Sequence, residues 1–501
     1  MPWWYCRERE MTETHHQHPL YSMVHPRSIA FFGASNRFTA MGTNQLHSLL
    51  SLGFEGTIYP VHPKEDQVLG LKAYRDVMDL PEVPDLAVMV LPTAIVPETL
   101  EKCGRKGIRR AAIVSGGFKE VGGPGMDLEK KLLAIAAHYG IRFLGPNCLG
   151  VVNPHHRFNM TFLPFTGKAG SIGFASQSGS FVTQMFDYLA EVGLGFSTAL
   201  SVGNEADIDL VDCLDYLADC PRTKVIGIYI EAIRRGRAFM EVARRIAPHK
   251  PIVAYYAGGS EAGKRAGFSH TGALAGPDRL YDGVFKQSGV IRADSMTELF
   301  DFCGVLSSCP PLRGNRLIIL THSGGPGATA ADACGRAGLA LTDFSRETIA
   351  GIAPFMPQTG SLNNPVDLTF TKNLEDYLER IPKVLLNDPN ADGLLIYIIL
   401  SDPLLRRPLA HMGVPEEAIQ DQIDPLIEGL VKAVMKLPET SHKPVIGYSF
   451  RSHFDRLIRI LQSRGFPVLP SPERAARAMA ALVRYGQIRE KLAGSQVPLT
   501  G

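Results

Sequence analysis

The chain has 501 residues, 45% of them hydrophobic and 20% charged, which is the composition of a folded globular protein and not of a disordered or fibrous one. Its 52 Lys and Arg against 50 Asp and Glu leave a net charge of +2, so there is no electrostatic case for nucleic acid or an anionic membrane as partner. No apolar run approaches bilayer-spanning length, and eight Cys with no CxxC pair argue against a disulfide framework or a zinc ribbon. A reducing, cytoplasmic compartment is the expectation, with no metal site.

At about 150 residues per domain, three domains are expected. Residues 1–18 are read as a disordered polar tail, because Trp3 and Trp4 run straight into Arg7 to Glu10 and leave no signal-peptide core. From Ser28 the pattern is strand, loop, helix, repeated. Ser28–Gly33, Thr57–Val61, Asp85–Leu91, Arg110–Ser115 and Arg142–Leu144 are short, apolar and unalternating, as strands covered on both faces are. Helical spacing fills Gly42–Leu52 and Ala94–Lys106. This predicts an α/β fold with doubly wound parallel sheets and a first domain over 19–155. A second series (Ser171–Ala175, Phe196–Val202, Lys224–Ile230, Pro251–Tyr256) predicts a domain over 156–310, closed by Cys309-Pro310-Pro311. The third domain, 311–501, carries strands at Arg316–Leu320, Gly393–Leu400 and Pro444–Tyr448. It ends in a helix over Ser471–Leu492, capped by Ser471 with Pro472 at its first position.

The first strand leads into Gly33-Ala34-Ser35-Asn36-Arg37, a Gly-rich turn into a helix N-terminus suited to a phosphate. The spacing is not GxGxxG, and the second strand ends in His62-Pro63-Lys64 with no acid for a ribose 2′-OH, which disfavours a nicotinamide dehydrogenase. Lys64 suits a phosphorylated ribose, of NADP or of coenzyme A, or is a solvated loop lysine. Ser115-Gly116-Gly117 and Gly145-Pro146-Asn147-Cys148 also sit at strand carboxyl ends, and Cys148 reads as a packed or ligand-lining thiol.

A quiet repeat links Ile172 to Ser180 with Ile318 to Gly325: each is a strand, then Ser-Gly, then a helix. The starts at Ser178-Gly179-Ser180 and Ser323-Gly324-Gly325 would together stabilise one anionic group, such as a phosphorylated side chain. His270, in the small-residue stretch Ala266 to Gly276, is the candidate nucleophile, and Glu231 after the strand Lys224–Ile230 would hold its imidazole in one tautomer. The plain alternatives are an ordinary loop histidine and an ion pair of Glu231 with Arg234 or Arg235.

Taken together, Gly33-Ala-Ser-Asn36, Ser115-Gly-Gly-Phe118, Gly145-Pro-Asn-Cys-Leu-Gly150, Ser176-Gln-Ser-Gly179, Ser269-His-Thr-Gly-Ala-Leu-Ala-Gly276, Asn364-Pro-Val-Asp367 and Gly465 to Arg474 resemble the NDP-forming acyl-CoA synthetases. That family includes ADP-forming acetyl-CoA synthetase and the alpha subunit of succinyl-CoA synthetase. The resemblance spans about Pro19 to Glu490. It implies a CoA-binding Rossmann-like domain and two flavodoxin-like domains. It makes His270 the phosphohistidine, Glu231 its orienting carboxylate, and the two Ser-Gly starts the phosphate site. It lays CoA along Gly33, Ser35, Asn36, Arg37, Lys64, Ser115, Gly116, Asn147 and Cys148. Because no ATP-grasp module is recognised, it implies an alpha subunit in a hetero-oligomer. ATP or GTP with Mg²⁺ would bind on a separate ATP-grasp beta subunit, and the substrate would be a small carboxylic acid or its acyl-CoA. A non-catalytic CoA-binding regulatory protein and an NADP-dependent oxidoreductase are the rival readings.

Overall fold

The unalternating apolar runs become central strands, covered on both faces. The computed structural model describes residues 15–263, 276–369, 373–399, 402–451 and 454–494. Strands β1 (Ser28–Phe32), β2 (Thr57–Val61), β3 (Leu86–Met89), β4 (Arg110–Ile113) and β5 (Arg142–Leu144) form a parallel sheet in the order β2-β1-β3-β4-β5. Every residue of β1 and β3 is buried. The strand order reverses between β1 and β3, which opens a crevice beyond their carboxyl ends. Gly33 closes β1 there at φ +92°, and a Cβ on it would lie 1.9 Å from the Val90 carbonyl oxygen, so only glycine fits.

The second sheet holds β6 (Gly150–Asn153), β7 (Phe158–Asn159), β8 (Ile172–Ser176), β9 (Phe196–Ser201), β10 (Val225–Ile230), β11 (Ile252–Tyr256) and β12 (Val290–Ala293), in the order β12-β11-β10-β8-β9-β6-β7. The strands from β8 to β12 are parallel, while β6 runs antiparallel to β9 and β7 antiparallel to β6. Residues 150–153, expected to close the first domain, therefore belong to the second sheet. Their partner is distant in sequence (Val152 opposite Ala199), so no local pattern announces the pairing.

The third sheet holds β13 (Arg316–Thr321), β14 (Ala340–Leu341), β15 (Val366–Asp367), β16 (Gly393–Tyr397), β17 (Val445–Tyr448) and β18 (Val468–Leu469). It is parallel, in the order β14-β13-β16-β17-β18 with β15 also on β13. The final helix, Pro472–Gly494, starts where the sequence predicts, and Ser471 Oγ accepts from the Arg474 N–H at 3.3 Å. The Arg474 guanidinium also donates twice to Asp301, each at 2.6 Å. Asp301 lies on the helix Met296–Ser308, which packs on the final helix. The chain forms two compact units, Met1–Ala190 with Gly195–Asp294 and Glu191–Leu194 with Ser295–Gly501, so residues 295–310 join the third sheet's unit and not the second's. The apolar face of that helix finds its partner nearly two hundred residues later, which Cys309-Pro310-Pro311 does not reveal.

Candidate active site

The loops beyond the first sheet are built largely by their own polar side chains. Thr43 Oγ1 accepts from the Ser35 N–H at 3.1 Å, and Ser35 Oγ accepts from the Arg37 N–H at 3.2 Å. Asn36 fastens the loop to the next hairpin, donating to the Gln67 carbonyl (2.9 Å) and accepting from the Leu69 N–H (3.0 Å). Ser115 Oγ donates to the Leu91 carbonyl (2.6 Å) and accepts from its N–H (3.0 Å). Ser35, Asn36 and Ser115 thus shape the crevice, and Arg37 and Lys64, both exposed, bring positive charge to it. Neither cation meets a carboxylate among the described residues. An anionic ligand with a phosphate fits this donor set.

Asn147 follows the cis Gly145–Pro146 bond at φ +58°. Cys148 is packed: it donates to the Ile113 carbonyl at 3.4 Å, and burial pushes its thiol up to about 12, so it is no nucleophile at neutral pH. Asn204, which the sequence reading missed, ties these loops to the second sheet. Its Nδ2 donates to Glu120 (2.6 Å) and Glu129 (3.2 Å), while its Oδ1 accepts from Asn147 Nδ2 (3.4 Å). Backbone bonds from Asn204 N–H to the Pro146 carbonyl (2.9 Å) and from Ala206 N–H to the Gly145 carbonyl (3.1 Å) complete the seam. Burial raises the Glu129 carboxyl to about 7.

At the carboxyl end of the second sheet, Ser176 Oγ donates to the Ser178 carbonyl (2.6 Å). The expected helix start is displaced here. Gly179, not Ser178, is the N-cap, and the helix Ser180–Thr183 has four residues before the chain turns again into Met185–Glu191. Gln177, between them, reaches across to the loop after β10. Its Oε1 accepts from the Glu231 N–H (2.5 Å) and the Ala232 N–H (3.0 Å), and its Nε2 donates to the Ala232 carbonyl (2.7 Å). The same Nε2 donates to Glu205 Oε2 at 2.7 Å. Glu205 is buried at φ +52°, and burial raises its carboxyl to about 8. Glu231 therefore stands at the end of β10 with its backbone fixed by a side chain from the next strand. Beyond β11, the neighbour of β10, the chain enters the segment that carries His270, which lies outside the described residues.

In the other unit, Thr321 Oγ1 donates to the Ser323 carbonyl (2.9 Å), and Ser323 is the extended N-cap of the helix Gly324–Arg336, with no side-chain cap bond. Both predicted Ser-Gly turns are present, each at a strand carboxyl end. Among the residues missed, Asn204 and Glu205 come three and four positions after the end of β9, and an acid so soon after a strand end is the signal that marks Glu205.

Three family models match in chain order: a CoA binding domain over 27–154, a succinyl-CoA ligase-like flavodoxin domain over 169–306, and a Ligase-CoA domain over 317–434. The chain is 38% identical over 463 residues to acetate–CoA ligase [ADP-forming] II subunit alpha of Pyrococcus furiosus, covering 92% of this chain and 97% of that one. It is 38% identical over 469 residues to acetate–CoA ligase [ADP-forming] I of Archaeoglobus fulgidus, covering 94% of this chain but 64% of that one. In structure it is similar to dinucleotide forming acetyl-coenzyme A synthetase 1 of Ca. Korarchaeum cryptofilum, solved with phosphate and ADP. The TM-score is 0.85 at 34% identity, over 96% of this chain and 100% of the other. No helix among the described residues is long and apolar enough to cross a membrane.

Proposed function

This chain belongs to the NDP-forming acyl-CoA synthetase family, whose members are acid–thiol ligases, and from that premise we propose that it is a cytoplasmic alpha subunit acting with a separate ATP-grasp beta subunit. The overall reaction is carboxylic acid + CoA + NTP to acyl-CoA + NDP + phosphate, and its reverse. The observation that carries this reading is the placement of Glu231. It sits at the carboxyl end of β10, fixed by Gln177, beside the strand that leads into the His270 segment.

In this reading the partner's NTP, with Mg²⁺, donates its terminal phosphoryl group to a ring nitrogen of His270, and NDP leaves. Glu231 accepts a hydrogen bond from the other ring nitrogen, which fixes the tautomer and leaves the reacting nitrogen free. The phosphoryl group passes from His270 to a carboxylate oxygen of the acid, giving an acyl phosphate. The thiol of CoA then attacks the acyl carbon, and inorganic phosphate leaves. Amide N–H groups at Ser178-Gly179-Ser180 hold the phosphoryl oxygens, and the turn at Ser323-Gly324-Gly325 offers a like set of amides in the other unit. Gly33, Ser35, Asn36, Ser115, Gly116, Asn147 and Cys148 form the wall along CoA, and Arg37 and Lys64 face its phosphates.

The test mixes the chain with an ATP-grasp partner, labelled NTP and Mg²⁺. The expected product is an acid-labile, base-stable phosphate on this chain. His270→Asn abolishes label and turnover while CoA binding stays near the parent value, since the CoA loops lie on another sheet. Persistence of label or turnover in that variant overturns the assignment.

A further inference from the structure

A polar side chain with four hydrogen bonds, none of them to its own strand or helix, is an expensive way to close a turn, and Gln177 has that arrangement. It is buried, and its amide spans two loops: its oxygen takes both N–H groups of Glu231 and Ala232, and its nitrogen takes the Ala232 carbonyl and the Glu205 carboxyl. Glu205 is held in turn by the Leu210 N–H on its other oxygen, at 2.9 Å, and by the Arg234 guanidinium on its backbone carbonyl. Its neighbour Asn204 is bound to the loop after β5. We propose that Gln177 and Glu205 are a positioning pair: through one amide they set where Glu231 stands, and through the Asn204 loop they tie that placement to the wall of the CoA crevice.

The chemistry of the pair is specific. Both contacts to the Glu205 carboxyl come from N–H donors, which the ionised form satisfies and the neutral form does not, so hydrogen bonding opposes the burial that raises its proton affinity. The other groups that act on it are Asp209 and Arg235, with Cys213 and Tyr281 also within its electrostatic reach. An amide at 177 can serve a carboxylate at 205 and two backbone donors at once. An acid at 177 cannot, because two carboxyl oxygens would then face each other where a 2.7 Å bond stands now, and one of them must keep a proton.

The assignment rests on Glu231 and His270 working as proposed above, and the experiment separates the two. The rate of phosphate labelling of the chain by NTP, Mg²⁺ and the partner is measured across pH for the parent, Gln177→Ala, Gln177→Glu, and Gln177→Glu combined with Glu205→Gln. CoA affinity and melting temperature are recorded for each. Displacement of a catalytic group by about an ångström costs on the order of 100-fold, so Gln177→Ala is expected to lose about that factor at every pH while still binding CoA. Gln177→Glu is expected to show a new fall in rate as pH rises, absent from the parent. The double variant, which exchanges acid and amide, recovers part of the high-pH rate. Parent-like labelling by Gln177→Ala, an unchanged pH profile in Gln177→Glu, or rate losses that only follow the loss of folded protein would overturn the pair. Absence of label on the parent would overturn the phosphohistidine reading, and the pair with it.

Discussion

At the end of β8 the Ser176 hydroxyl donates to the Ser178 carbonyl, and at the end of β13 the Thr321 hydroxyl donates to the Ser323 carbonyl. Both turns then release the chain at Gly into a helix. The likeness stops at the neighbouring strand. β10, beside β8, is followed by Glu231, whereas β16, beside β13, is followed by the buried Ile398. The glycines differ as well. A Cβ on Gly179 would lie 2.6 Å from Leu149 Cγ, while on Gly324 the nearest atom would be Asp367 Oδ2 at 3.6 Å. The turn is thus common to both sheets, and the two differ in the residue that follows the adjacent strand, an acid in one and a buried aliphatic in the other.

The comparison breaks if matched substitutions behave alike. Glu231→Gln should slow phosphate labelling by about 100-fold without loss of fold, as expected when an orienting group is removed. Ile398→Gln should cost about 2–4 kcal/mol of stability by burying an amide, yet leave the labelling rate per folded molecule near the parent value. Equal rate losses would erase the distinction between the halves. Next in size, Gly179→Ala should destabilise by about 1–3 kcal/mol through overpacking, and Gly324→Ala by less than about 1 kcal/mol, read from thermal or urea unfolding. A third measurement sharpens the contrast between sheets. Lys64→Ala, on the first, should reduce the preference for CoA over dephospho-CoA by about 1–3 kcal/mol and leave labelling intact.

The smallest effect is in the pH dependence of stability. The folded-state proton affinity of Glu129 is raised to about 7, so between the ordinary carboxylate range and pH 7 the folded chain binds more protons there than the unfolded chain. That group's contribution therefore falls as pH rises through this window. Glu129→Gln removes the titration, and its melting temperature should gain on the parent by a few degrees from pH 5 to pH 8. A constant gap would show that Glu129 does not titrate in this range.

The main strands were legible because apolar, unalternating runs such as Ser28–Phe32 and Val225–Ile230 report burial on both faces. The two-residue strands β14, β15 and β18 were not, since two residues carry no period. Neither was β6, whose partner lies across the following hairpin and helix. In the site, residue types at strand ends were informative, and Glu231 stands where the strand pattern put it. Gln177 was visible as part of Ser176-Gln-Ser-Gly179, but its meaning depends on Glu205 and on Glu231, 54 positions away. Position alone marks Ser115 and Asn36 as ligand contacts. Their side chains are occupied in holding the loops, a matter of rotamer and partner that sequence does not carry.

The sheet margins have a consequence for assembly. Strands this apolar would template other chains if their edges were long and flat. Here the third sheet is bounded on both sides by strands of two residues, the second ends in the two residues of β7, and the outer strand β2 carries Pro60. Edge-to-edge strand addition finds little purchase on these margins, so a folding intermediate of this chain is protected against β-aggregation there.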